Sequence, residues 1–368
     1  MNTTPKRIIY IDIMRAFAVI MMIQGHTVDT FLAEEYRNID SLGYSIWHTL
    51  RGFTAPIFMF TAGLVFTYLL KTDHFEFLKN PRIKKGLKRA SSLIILGYLL
   101  RYPTYKIFDF SNISQKQWDI FFSVDALHLI GFGMFVVIFS VLVSKRAHIN
   151  LNTVLISNIS ILLISSPFLN KIEWINIFPQ YIASYLTSSY GSFFPIFPWL
   201  IYVLAGGVLG NYLYKNDGIY LKKRFSFTLS IIGGIFVALS ILFFSLQNLV
   251  EKEFSFWFYS NGLIFLRVGY VILLNSVMAF IVRKLDSIPK IVKETGKKTL
   301  LLYVVHVIIL YGCAWFPGMY KFYAKSYTPI ETIIAAVLMI ALMLAIVHFG
   351  DKIKLMTNRK FQFKKVLD

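Results

Sequence analysis

Apolar runs of about 20 residues recur along the whole chain, separated by short polar segments. At 1.5 Å per helical residue, each run matches the hydrocarbon thickness of a bilayer. The pattern predicts ten helices, over approximately 8–31, 48–70, 88–102, 119–144, 151–169, 194–214, 226–246, 261–282, 298–316 and 329–350. The third is the shortest, and Pro103 ends or kinks it. The expected fold is an all-α, polytopic membrane helix bundle forming one integral membrane domain over residues 1–368. The loops are short. The longest outer one, 170–193, is aromatic and Ser-rich and is expected to carry a short helix. No internal repeat or inverted half is evident, which weighs mildly against a repeat-built transporter.

Lys and Arg orient the bundle. With the N-terminus in the cytoplasm, the inward segments are Lys6-Arg7, 71–89, Lys145-Arg146, 215–224, 283–298 and the C-terminal tail. Together they hold 27 of the 38 basic residues. The outer loops hold 7: Arg37, Lys106, Lys116, Lys171, Lys252, Lys321 and Lys325. Arg15, Arg51, Arg101 and Arg267 fall within or at the edge of spans. This positive-inside bias places both termini in the cytoplasm. The basic lead before the first span resembles a signal peptide, but no small-residue cleavage site follows, so that helix is expected to be retained.

Composition adds three limits. The net charge of +19, in a chain 56% hydrophobic and 15% charged, is accounted for by the topology and by anionic lipid. No compact basic patch with interleaved aromatics argues for nucleic acid. The single cysteine, Cys313, excludes an intrachain disulfide, and no Cys/His cluster has zinc spacing, so no metal is expected.

Ionisable residues inside the spans carry the candidate chemistry, because a charge near the bilayer centre costs roughly 2.5–3.5 kcal/mol on insertion scales. In the first span, Arg15 and His26 are eleven residues apart. That is close to three helical turns, so they share a face about 16 Å apart along the axis. Asp12 lies one turn before Arg15, and Asp29 one turn after His26, each within side-chain reach. Such a stripe must face protein or a water-filled cavity. The predicted topology sets His26, Asp29, His48, Arg51, Arg101, Asp125 and Arg267 toward the outer side, Asp12 and Arg15 toward the inner, and His128 and His306 near the middle. Together they outline a path through the bilayer. Each also has a plainer explanation: an Asp–Arg pair that locks helices, arginines that snorkel to headgroups, a local Asp125–His128 pair at i and i+3.

Acyl transfer would use this arrangement. A base must take the proton of the acceptor hydroxyl or amine, and His suits neutral pH. Cationic or N–H donors must meet the oxyanion. An acyl-CoA donor is cytoplasmic and strongly anionic, which suits basic residues on the inner side.

The residues also carry a resemblance. Arg15, ten intervening residues, then His26, in IDIMRAFAVIMMIQGH, resembles the first-helix signature of the acyltransferase 3 membrane enzymes. RGFTAPIFMFTAGLVF, VDALHLIGFGMF (124–135), FPIFPWLIYVLAGGVLG (194–210) and GKKTLLLYVVHVII (296–309) look more like bacterial relatives of heparan-alpha-glucosaminide N-acetyltransferase. The resemblance implies a transmembrane acyltransferase of about ten helices. It would use cytoplasmic acyl-CoA, usually acetyl-CoA, as co-substrate and modify an acceptor across the membrane, commonly a sugar of a glycan or glycolipid. By the acyltransferase 3 signature, His26 and Arg15 form the essential pair. The heparan-type enzymes often carry Asn where His26 falls and use a His in the outer loop before the second span, roughly where His48 stands, so the base is either His26 or His48. His128 and His306 match recurring positions implied to support donor binding.

The sequence is therefore read as an integral membrane acyltransferase. His26 or His48 is the base, Arg15 and Asp12 position the donor, and Arg51, Arg101, Asp125 and Arg267 contact the acceptor. Its expected setting is multi-pass in a bacterial inner membrane. A homo-oligomer, O- or N-acylation, and covalent or direct transfer all stay open. One rival is a transporter or flippase for an anionic or sugar-linked substrate. The other is a non-catalytic partner whose stripe only packs helices.

Overall fold

A computed structural model describes residues 8–72, 76–250, 252–285 and 287–367, with side chains over 8–72, 76–250, 255–285 and 287–350. The Lys6-Arg7 lead and the side chains of Lys252 and of the basic C-terminal tail lie outside the described residues. In chain order the helices are α1 (Ile9–Phe31), α2 (Leu42–Arg51), α3 (Thr54–Leu70), α4 (Pro81–Leu100), α5 (Gln115–Phe122), α6 (Ala126–Ala147), α7 (Leu151–Leu169), α8 (Gln180–Leu186), α9 (Ile196–Lys215), α10 (Lys223–Leu246), α11 (Lys252–Lys284), α12 (Lys290–Lys297), α13 (Thr299–Tyr311), α14 (Tyr320–Tyr323) and α15 (Pro329–Leu367). The protein is nearly all-α. Among the described residues, eight helical stretches are long and apolar enough to cross a membrane: α1, the α2–α3 stretch, α6, α7, α9, α10, α11 and α15 up to Gly350. The other two predicted spans correspond to α4, whose first half carries Arg82, Lys84, Lys85, Lys88 and Arg89, and to α13, which has 13 residues.

Local chemistry moves several predicted boundaries. The second span is interrupted at Gly52 and Phe53, where the Gly52 amide bonds back to the carbonyls of His48 and Thr49. The third starts earlier than its apolar run. Asn80 caps α4 by accepting from the Arg82 amide, and Pro81, which has no amide to satisfy, takes the first position. The fourth divides into α5 and α6, because Asp125 takes an extended conformation and caps α6. The ninth stops at Tyr311. There Gly312 has φ +83°, a backbone that favours glycine, and Gly312–Cys313 pairs antiparallel with Phe316–Pro317. The segment 170–193 carries a short helix, α8, as expected.

The chain forms two compact units. Unit 1 joins the two ends of the sequence, up to Thr54 and from Leu285 onward. Within it, Arg15 near the start of α1 bonds Thr299 at the start of α13, and His26 near the end of α1 meets Tyr311 at the end of α13. The two helices therefore run parallel. Helix α15 returns antiparallel: its approach at Tyr327 bonds the end of α1, and the Val347 carbonyl accepts from Lys298 at the start of α13. Gly296 is needed where α12 crosses α1, since a β-carbon there would overlap the Asp12 carbonyl oxygen.

Unit 2 covers Ala55–Lys284. Within it, α3 and α9 approach closely at glycines. A β-carbon on Gly63 would overlap the Val203 carbonyl oxygen, and one on Gly206 the Phe60 carbonyl oxygen. Small residues let helix backbones touch where lipid gives no hydrophobic drive to associate. Gly206→Ala is expected to lower the thermal midpoint in detergent, because overpacking costs about 1–3 kcal/mol. Gly234→Ala, with nothing within 4 Å of the added carbon, serves as the neutral comparison.

Candidate active site

Unit 1 assembles the residues of the first-helix stripe with groups from α2 and α13. The His26 ring is half-buried, with its centroid 5.3 Å from that of His306 and 5.5 Å from that of Tyr311. A hydrogen bond to the helix backbone orients His306. Its Nδ1 lies 2.7 Å from the Leu302 carbonyl oxygen, which only accepts, so Nδ1 carries the proton and donates. Nε2 is left with a lone pair, buried and without a hydrogen-bond partner among the described residues. The Tyr311 hydroxyl approaches the His26 carbonyl at 3.5 Å and closes the edge of the cluster.

One turn beyond His26, the Asp29 carboxylate accepts from the Arg51 guanidinium, which also stands over the Trp47 ring at 5.6 Å. The spacing puts Asp29 within reach of His26. In the structure the Asp29 carboxylate meets Arg51, brought in by the last turn of α2. Arg51 is thus held by an anion, while its side chain remains 38% exposed. Arg37 donates to the carbonyls of Asp29 and Leu32 and so satisfies the end of α1. His48 is exposed on α2, its ring 5.8 Å from that of Tyr44. At the other end of the stripe, Arg15 donates to the Thr299 hydroxyl at 2.9 Å, and Asp12 is buried against α12.

Unit 2 gathers a second cluster from the remaining sequence candidates. Asp125 accepts from the amides of Leu127 and His128, and its Oδ1 lies 2.9 Å from His128 Nδ1. Arg101 Nε is 3.6 Å from the other carboxylate oxygen, and the same guanidinium bonds the Ser123 hydroxyl. The local Asp125–His128 pair read from the i, i+3 spacing is present and forms a capping box. His128 is fully buried. Its ring packs on α4 where Gly97 leaves room, since a β-carbon there would come within 2.5 Å of it. The Tyr98 ring meets it at 4.4 Å, and the Tyr98 and Tyr185 hydroxyls are 3.3 Å apart. Arg267, also in unit 2, stands over the Trp199 ring at 5.2 Å.

The candidates drawn from six spans thus fall into two groups, one in each unit. Sequence reasoning missed Tyr311, Thr299, Ser123, Tyr98 and Tyr185. Thr299 stands inside the GKKT motif and was legible there. Tyr98, Tyr311 and Ser123 sit in apolar runs and Tyr185 in the aromatic, Ser-rich loop, and none carries a periodic or charge signal. No group of three or more His, Cys, Asp or Glu among the described residues is arranged to hold a metal ion.

The unit 1 cluster has the parts of a proton-transfer site. It holds a half-buried imidazole, a second, fully buried imidazole beside it, a phenol, and a guanidinium. In the comparison with protein families, the model described as "Heparan-alpha-glucosaminide N-acetyltransferase, catalytic" matches residues 7–250. The match takes in α1 with His26 and the whole Arg101–Asp125–His128 cluster, and ends before α11. Among curated proteins, no sequence matches the chain.

Proposed function

The chain belongs to the heparan-alpha-glucosaminide N-acetyltransferase catalytic family, and from that premise we propose that it moves an acetyl group from cytoplasmic acetyl-CoA to a sugar hydroxyl or amine across the membrane. The observation that carries the site is the half-buried His26 imidazole beside His306 and Tyr311. His26 takes the proton of the acceptor as its oxygen or nitrogen attacks the thioester carbonyl. The C–S bond then breaks, and the CoA thiolate leaves and takes up a proton. His306, held by its Nδ1 bond to the Leu302 carbonyl, packs beside His26 and orients that ring. Arg15, steadied by Thr299, and Asp12 position the donor at the inner end of the same helix face. Arg51 faces the acceptor, while Arg101, Asp125 and Arg267 belong to unit 2.

The topology in this reading is ten spans with both ends in the cytoplasm, in a bacterial inner membrane. The parallel course of α1 and α13 supports that count. Helices that run parallel have the same parity in a bundle of alternating spans, as the first and ninth do. If α4 did not cross, α13 would be the eighth span and would have to run against α1.

Acetyl-CoA added to the detergent-purified protein is expected to raise its thermal stability. A ligand that binds only the folded state contributes RT ln(1 + [L]/Kd), about 2.7 kcal/mol at a hundredfold excess over Kd. Arg15→Ala is expected to remove most of that stabilisation at the same ligand concentration. Absence of any stabilisation in folded wild-type protein would overturn the reading, and flux of a sugar-linked anion without modification would replace it.

A further inference from the structure

A second place for the donor's chemistry lies within unit 2, at the corner between α6 and α7. Helix α6 ends in Lys145-Arg146-Ala147, His148 turns the chain in a left-handed conformation (φ +55°), and α7 starts after Asn150. The corner is pinned in both directions. The Ser144 hydroxyl donates to the Ile149 carbonyl at 2.6 Å, and the Ile149 amide donates back to the Ser144 carbonyl at 3.1 Å. Between this corner and the end of α9 is a recess of about 280 Å³ whose polar lining is Thr72, Ser144, Lys145, His148, Asn150 and Lys215.

The recess is built with one sign of charge. Two lysines and a histidine border it, and among the described residues no carboxylate lines it. Asn150 caps α7 by accepting from the Asn152 amide at 2.9 Å, so the start of a 19-residue helix adds partial positive charge at the same wall. Lysine is a common phosphate ligand, acting as a point charge with three donors. A recess of this size holds a phosphate or diphosphate group while the remainder of the molecule extends outward.

We propose that this recess binds the phosphate or diphosphate group of an anionic ligand on the cytoplasmic side. On the function proposed above, the ligand is the phosphate-bearing end of acyl-CoA. An anionic phospholipid headgroup presents the same chemistry, and the two sources separate by experiment.

The test uses the full-length protein in detergent, with inorganic pyrophosphate and acetyl-CoA as calorimetric probes, and nanodiscs with and without phosphatidylglycerol. Pyrophosphate is expected to bind wild type saturably. The double variant K145Q/K215Q is expected to weaken it at least tenfold, while K145R/K215R keeps it and R146Q, beside the recess but not lining it, leaves it unchanged. If acetyl-CoA weakens in parallel in K145Q/K215Q and pyrophosphate competes with it, the source is the donor. If acetyl-CoA is unaffected and K145Q/K215Q instead loses the stabilisation given by phosphatidylglycerol, the source is lipid. Pyrophosphate that fails to bind wild type, or binds K145Q/K215Q equally well, overturns the recess. Acetyl-CoA that still binds in an Arg15-dependent way would then leave the proposed function standing. Conversely, lysine-dependent pyrophosphate binding with no acetyl-CoA binding keeps the recess and overturns the donor assignment.

Discussion

His26→Ala is expected to lower acetyl transfer by about 10²–10⁴-fold, the range removed when a positioned general base is lost. Acetyl-CoA binding should stay near the wild-type level, because the donor contact is assigned to Arg15 and Thr299 at the other end of α1. The measurement is transfer from radiolabelled acetyl-CoA to a sugar acceptor in proteoliposomes, read beside donor binding. His48→Ala is the comparison that decides between the two histidines left open by the sequence. His48 is exposed on α2, with its ring against Tyr44, whereas His26 is enclosed by His306 and Tyr311. Its loss is expected to change transfer only a few-fold, and the double variant should match His26→Ala alone. Transfer that survives His26→Ala and collapses in His48→Ala would move the base to α2. His306→Ala should lower transfer less than His26→Ala, since it acts through the neighbouring ring.

Asp125→Ala is expected to cost about 3–5 kcal/mol of stability, the range for removing one partner of a buried ion pair. The variant leaves the Arg101 guanidinium, 19% exposed, without its carboxylate. It also removes the cap from two amides at the start of α6. Asp125→Asn separates these effects, because Asn caps helices as well as Asp but carries no charge. It should fall between wild type and Asp125→Ala in thermal midpoint. If Asp125→Ala unfolds at the wild-type temperature but loses acceptor binding, the cluster is a binding site rather than a structural corner.

Much of the fold was legible because a bilayer imposes one length on every span. The eight longest apolar helices coincide with predicted runs for that reason. The breaks were harder. VDALHLIGF is apolar on both sides of Asp125, so periodicity carries the helix straight through, while the capping box that stops it depends on one side chain turning back on the backbone. Two other breaks are backbone events: α2 stops where the Gly52 amide bonds back to the His48 carbonyl, and α13 stops at the positive φ of Gly312.

The site was legible along one helix and not between helices. The shared face of Arg15 and His26 follows from 3.6 residues per turn, and both residues do meet α13. Depth along the membrane normal placed His26 and Arg101 at one level, yet it carries no lateral information, and the structure puts them in different units. Asp29 shows the same limit: its spacing suggested His26, but a helix from farther along the chain supplied Arg51.

Unit 1 is made from the two ends of the sequence, and that has a consequence for how the protein is made. Arg15 and Thr299 are 284 residues apart. At 5–20 residues per second, the ribosome needs roughly 15–60 s to produce the second after the first. For that interval the first helix, with Asp12, Arg15, His26 and Asp29, resides in or beside the insertion machinery without α13. This charged helix is made long before the partner it packs against, 284 residues further on. A chain stopped before Leu285 would hold all of unit 2 and only the first part of unit 1, leaving the charged helix for membrane quality-control proteases to recognise.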